Sequence, residues 1–172
     1  MRLLPVLAAA IAAIALAGAG PVAAPRVAIT SFDQLAKPLP LPYTASANAN
    51  ADAAVAAART RAIRGKKLLL IDLGGNWCLD CRILAGTMEV DPLKGWLAKH
   101  YEIVTVDVGR FDKNLQIPAR YGITNRLEGV PALLIVNPRT DKLINSGRVA
   151  ALADARSMTP QALADWLAQW VK

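Results

Sequence analysis

Histidine occurs once in these 172 residues, and cysteine only twice. So few soft or basic ligands exclude an ordinary four-ligand zinc site. They also exclude a fold stapled by several disulfides, so the domain must be held by an apolar core, which a chain of this length can bury. Acidic residues are in deficit as well, 13 against 20 Lys and Arg, for a formal net charge of +7. The densest basic stretch holds Arg59, Arg61, Arg64, Lys66 and Lys67 with no aromatic residue interleaved. That pattern gives a nucleic-acid platform no support, and no nucleic-acid partner is expected. It reads as a solvated helix face, with at most a weak preference for acidic partners or an anionic membrane surface. No internal repeat is present, and the chain is expected to act as a monomer.

What is present begins with Met1-Arg2 and an apolar Leu/Ala/Ile run from Leu3 to Gly20. Ala17-Gly18-Ala19 is an A-x-A cleavage signature, so residues 1–19 read as a signal peptide cut before Gly20. A second candidate cut after Ala24 would leave Pro25 first, which is disfavoured. An uncleaved membrane anchor is the alternative, since the run nearly spans a bilayer. Either form carries the domain out of the cytoplasm, to the periplasm or beyond. No cysteine lies near the cut, which excludes lipid attachment there. Residues 20–45 carry prolines at 21, 25, 38, 40 and 42. They read as an extended arm or tether, packed through Phe32, Leu35 and Tyr43. The folded domain is expected over residues 46–172.

Within that domain the alanine-rich stretch from Asn50 to Arg64 predicts a helix, capped at Asn50 or Asp52 and ended by Gly65. Lys67 to Leu73 is a continuous apolar run broken by one acid, which predicts a buried central strand. Gly74-Gly75-Asn76 is a turn. A helix then starts at about Cys78 and runs past Met88, and Asp91-Pro92 restarts a short one through Trp96 and Leu97. Tyr101 to Val108 alternates and is β-branched, which predicts a second strand. Asp112 to Tyr121 predicts a short helix. Ala132 to Val136 and Lys142 to Ser146 predict two further strands joined by a hairpin turn at residues 137–141. In the last helix Thr159 is the N-cap and Pro160 the first helical residue, and Leu163, Trp166, Leu167 and Trp170 form one apolar stripe. This order predicts an α/β fold, a mixed β-sheet flanked by helices on both faces. Chemistry in such sheets sits at the carboxyl ends of strands.

Both cysteines lie in one pentapeptide, Trp77-Cys78-Leu79-Asp80-Cys81, just after the first strand and at the start of a helix. The spacing lets the two sulfurs close a small ring. A helix N-terminus favours an anion, so Cys78 is expected to have a lowered pKa. A zinc half-site is the rival reading, but the single histidine, His100, is on another segment and reads as a surface residue.

Asp72, the Trp77-Cys78-x-x-Cys81 pentapeptide, Tyr121-Gly122-Ile123 and Gly129-Val130-Pro131 together resemble the thioredoxin superfamily, specifically an exported thioredoxin-like domain. The likeness covers roughly Asn50 to Trp170 and implies a thioredoxin fold. It implies that Cys78 attacks a substrate disulfide and that Cys81 resolves the mixed disulfide, without a cofactor or metal. Asp72 would be the acid that moves the proton of the resolving thiol. The lysine that such acids usually face would fall near Ile103, which cannot pair with it. The Val130–Pro131 bond is implied to be cis, with the Val130 backbone free to pair with an extended substrate. Trp77 would cover the site. Asp80 stands where oxidising members often carry histidine. Its charge would destabilise the thiolate and make the pair a better reductant, although Arg82 could offset it. The expected function is therefore reduction of protein disulfides outside the cytoplasm, fed by a membrane thiol electron relay. The alternatives are a disulfide oxidase or isomerase, a copper-binding assembly factor using the same thiols, and a non-catalytic binding module.

Overall fold

The computed structural model describes residue 20, residues 22–44 and residues 49–172; the proposed signal peptide and its cut lie outside the described residues. Helix α1, Ala51–Gly65, starts where the Asn50 side chain accepts the Ala53 N–H. Its buried face is Val55, Ala58 and Ala62, small side chains that let it lie close on the sheet. The left-handed residue that ends it is Lys66, φ 54°, rather than Gly65. Strand β1, Leu68–Gly74, is buried along almost its whole length, as its run of apolar residues requires. Helices α2, Leu79–Met88, and α3, Leu93–His100, follow. Then come β2, Tyr101–Asp107, α4, Gln116–Arg120, β3, Ala132–Asn137, β4, Lys142–Leu143, and α5, Pro160–Ala168.

The sheet order is β2-β1-β3-β4. Strand β1 runs parallel to β2 and antiparallel to β3, and β4 returns antiparallel on β3. The sheet is therefore mixed. Pleating sends Leu69, Ile71 and Leu73 to the α1 face, and Leu70 to the face covered by α2, α3 and α5. Trp166 is buried in that second layer, edge-on to Trp170 at 5.5 Å.

Helices α2 and α5 stop at Met88 and Ala168, just short of their expected reach, and two elements are shorter than the sequence predicts by three residues or more. Helix α4 begins at Gln116 because Asp112 accepts the Arg110 N–H in a local turn, and Phe111 and Asn114 take positive φ. Strand β4 ends at Leu143 because Asn145, buried, replaces backbone pairing with its side chain. It accepts from Ile135 N at 2.9 Å and donates to Leu133 O at 2.8 Å.

Residues 22–44 form a strap around the domain. Val22 N–H donates to Val171 O, and Gln161 at the start of α5 holds Val27 N and Pro25 O. A 3-10 turn at Phe32–Gln34, closed by a Ser31 capping box, precedes Leu35 and Leu39, which pack on Ile83 of α2. Arg82 donates to the carbonyls of Leu39 and Pro40. Thr105 of β2 donates to Pro42 O, and Tyr43 then turns inward.

Candidate active site

The carboxyl end of β1 delivers the cysteine pair to the start of α2. Cys78 is the N-cap residue, and its sulfur accepts the Cys81 backbone N–H at 3.2 Å. The Cys78 thiol donates to Val130 O at 3.4 Å. The Val130–Pro131 peptide is cis, as are Lys37–Pro38 and Asp91–Pro92. The Val130 N–H donates to no described residue. Pro131 leads directly into β3, so this loop lies across the helix start. Gly129 permits that approach: a Cβ there would meet the Ala153 Cβ at 2.6 Å.

The two thiols are free and inequivalent. Cys78 is held below the ordinary thiol range, chiefly by its hydrogen bond with the Cys81 side chain; burial opposes this, and the Cys81 backbone N–H adds to it. Cys81 has no exposed surface and is pushed far up, first by its hydrogen bond to Cys78 and then by burial. The negative charges of Cys78 and Asp72 act in the same direction. Cys78 is thus the thiol that ionises the more readily, and Cys81 the one that keeps its proton.

Asp72 is fully buried on β1, paired in register with Thr105 of β2 and Leu133 of β3. Burial pushes its carboxyl up to about 7, and the Tyr43 hydroxyl, which donates to Oδ1 at 2.8 Å, pulls it partly back. Oδ2 has no partner among the described residues. Asp72 also lines a cavity of about 560 Å³ beneath Pro40, Leu41 and Pro42, whose walls include Ile103 and Tyr101. Tyr43 itself is only 4 % exposed and is raised well above the usual phenol range, mainly by burial and then by the charges of Asp72 and Cys81.

Trp77 is 44 % exposed at the rim. Its indole N–H donates to Gly109 O at 2.7 Å, its ring meets Phe111 edge-on at 6.2 Å, and Arg110 lies over it at 4.6 Å. Asp80 turns away from solvent and is 5 % exposed. Arg156 donates to it from its backbone N–H at 2.9 Å and from Nε at 3.0 Å. Burial would raise Asp80, but the Arg156 hydrogen bonds and charge outweigh it and hold the carboxyl below its usual range. The offsetting cation is therefore Arg156; Arg82 is engaged with the strap instead. His100 sits apart, its ring tilted against Trp96 at 4.5 Å, and burial lowers its pKa.

The structure thus brings Cys78, Cys81, Asp72, Val130 and Pro131 together and places Trp77 beside them. Tyr43 and Arg156 complete the site, and sequence reasoning gave neither a role there. Tyr43 was visible as a packing residue, but its partner lies 29 positions away; Arg156 is 76 positions from Asp80.

A family model described as thioredoxin-like matches residues 47–138. No curated protein matches the chain. Among solved structures, the crystal structure of disulphide isomerase from Xylella fastidiosa Temecula1 superposes with a TM-score of 0.68 at 36 % identity, covering 76 % of this chain and 96 % of that one. With the C-x-x-C pair at the start of α2 and the cis proline against it, these matches show that the chain belongs to the thioredoxin-like family.

Proposed function

We propose that this thioredoxin-like thiol–disulfide oxidoreductase reduces protein disulfides outside the cytoplasm. The observation that carries the cycle is the buried carboxyl of Asp72 beside a fully buried Cys81, and the direction rests on the charge of Asp80, which opposes the Cys78 thiolate. Attack needs only Cys78: its thiolate displaces one sulfur of the substrate disulfide, which leaves as a thiolate and takes a proton from solvent. Completing a reduction needs Cys81 as well. Its proton passes to Asp72, its thiolate attacks Cys78 Sγ, and the second substrate sulfur leaves as the Cys78–Cys81 disulfide forms. The same carboxyl returns that proton when the exchange runs backward, so Asp72 serves the cycle and the Asp80 charge biases it toward reduction. Two electrons must then return to the pair, and outside the cytoplasm a membrane thiol relay would supply them. The leader-like residues 1–19 support export, and no described helix is long and apolar enough to cross a membrane. Trp77, Pro131 and the Val130 N–H, which donates to no described residue, offer the surface on which an extended substrate segment would pair.

Isomerisation is the second reading, favoured by the likeness to the Xylella fastidiosa protein. It uses the same attack but lets a substrate thiol, not Cys81, release the enzyme. The Cys78–Cys81 reduction potential and a Cys81→Ala variant test the two together. Reduction predicts a potential at or below about −200 mV, with the variant trapping substrates as mixed disulfides on Cys78 and losing turnover. A potential near −120 mV reverses the direction to oxidation. A variant that still rearranges a scrambled multi-disulfide protein at the normal rate makes the protein an isomerase.

A further inference from the structure

The strap ends in a residue for which the reducing cycle has so far found no use. Tyr43 is delivered through a paired contact with the active-site turn: its N–H donates to Asn76 Oδ1 at 3.1 Å, and Asn76 Nδ2 donates to its carbonyl at 2.9 Å. Asn76 immediately precedes Trp77-Cys78, so the strap and the thiol loop are fixed to one another. The Tyr43 hydroxyl then occupies the space over Gly74, where any Cβ would collide with both that hydroxyl and the Cys81 sulfur. It donates to Asp72 Oδ1 and leaves Oδ2 without a partner among the described residues.

We propose that Tyr43 is a positioning residue for the resolving step, holding Asp72 ionised and oriented so that its free oxygen receives the Cys81 proton. This rests on the reading of the pair as a dithiol that cycles. A hydrogen bond donated to a carboxylate favours the charged form, and only the charged form can accept a proton. No cation on the sheet takes that part, since β2 presents Thr105 in register with Asp72 and β3 presents Leu133. From the strap Tyr43 faces the carboxyl, and from α2 Cys81 does. Lys67, Glu89, Lys94, Tyr101 and Glu102 belong to the wall of the cavity that Asp72 also lines. Neither lysine contributes to the Asp72 shift, whose causes are burial and Tyr43. In the step itself the Cys81 S–H bond breaks, its proton goes to Asp72, the Cys81–Cys78 bond forms and the Cys78–substrate bond breaks.

Stopped-flow reaction of the reduced protein with dithiobis(nitrobenzoate) separates the two thiols in one trace. A first coloured thiolate leaves when Cys78 attacks, and a second leaves when Cys81 resolves. Tyr43→Phe keeps the ring and removes only the hydroxyl. It is expected to slow the second phase about tenfold at pH 6, to displace its pH midpoint upward by about one pH unit, and to recover the wild-type rate above pH 9. Fluorotyrosine placed at position 43, a stronger donor, should displace the midpoint the other way. It keeps the test open if the phenylalanine variant folds poorly. In an Asp72→Asn background neither change should have a further effect. Superimposable pH profiles, or a loss equal at every pH, would overturn the assignment. Absence of the second phase in the wild type would instead defeat the dithiol cycle itself.

Discussion

Asp72 carries a cost that its chemistry must justify. Its carboxyl titrates at about 7 when folded, against 3.8 for an ordinary aspartate, because the folded state offers it almost no solvent. Below about pH 4 both folded and unfolded chains hold the proton and the cost is absent. Between pH 4 and 7 the folded chain keeps a proton that the unfolded chain releases, so stability falls as pH rises, and the full cost is reached above 7. Asp72→Asn removes that titration. Urea unfolding should show the variant gaining on the wild type from pH 4 to 7, by up to about 4 kcal/mol, and then levelling off. A difference that stays flat with pH would place the charge elsewhere. Asp80 behaves in the opposite way, since Arg156 holds it ionised beside Cys78. Arg156→Gln should leave its charge less compensated and slow alkylation of Cys78 at pH 7 roughly threefold, while Asp80→Asn should accelerate it. Equal rates in all three proteins would show that the pair is structural only. The thiols and Asp72 were legible as candidates because they lie in contiguous residues and in one acid that breaks an apolar strand. Arg156 was not legible, since nothing near it in the sequence signals a partner 76 positions back.

The strap shows what periodicity can and cannot reveal about an element. Its prolines forecast extended chain, and Phe32, Leu35 and Tyr43 forecast contact with the domain, but no repeat of 2 or 3.6 specifies which surface an extended segment crosses. The path is set by scattered hydrogen bonds donated to strap carbonyls by Gln161, Arg82, Thr105 and Asn76, each donor on a different part of the fold. Helices α1 and α5 were legible for the opposite reason, since caps and an apolar stripe are local signals. Strand β4 was read too long because an asparagine inside a β-like run gives no warning that its side chain will do the pairing. Leu35, buried against Ile83 of α2, tests whether the strap belongs to the cooperative unit. Leu35→Ala should lower the free energy of unfolding by about 2–4 kcal/mol while unfolding stays a single transition. A tether that merely lies on the surface would leave the denaturation midpoint where it was.

The direction of electron flow is a property of the folded molecule, and unfolding reports it without a substrate. In the unfolded chain Cys78 and Cys81 are an ordinary exposed pair. In the folded chain one thiol is buried with its pKa driven up, and a buried carboxyl lies beside it. Cys81 keeps its proton at neutral pH, so the charge at stake in the reduced form is the Cys78 thiolate; hydrogen bonds favour it while burial and the Asp80 charge oppose it, and closing the disulfide relieves those last two. A thermodynamic cycle links this to stability: whichever redox form the fold favours is also the form that unfolds less readily. Strong oxidants on this chemistry owe their potential to a stabilised reduced form, and a reductant must show the reverse. If the folded pair is about 60 mV more reducing than the same cysteines unfolded, the disulfide form should be about 2.8 kcal/mol the more stable. Denaturant titrations of the oxidised and reduced protein at one pH measure that difference directly. The oxidised form is expected to unfold at the higher denaturant concentration, and the gap should narrow in Asp80→Asn, which removes the charge opposing the Cys78 thiolate. Greater stability of the reduced form would make this centre a donor of disulfides, with the same residues serving the opposite reaction.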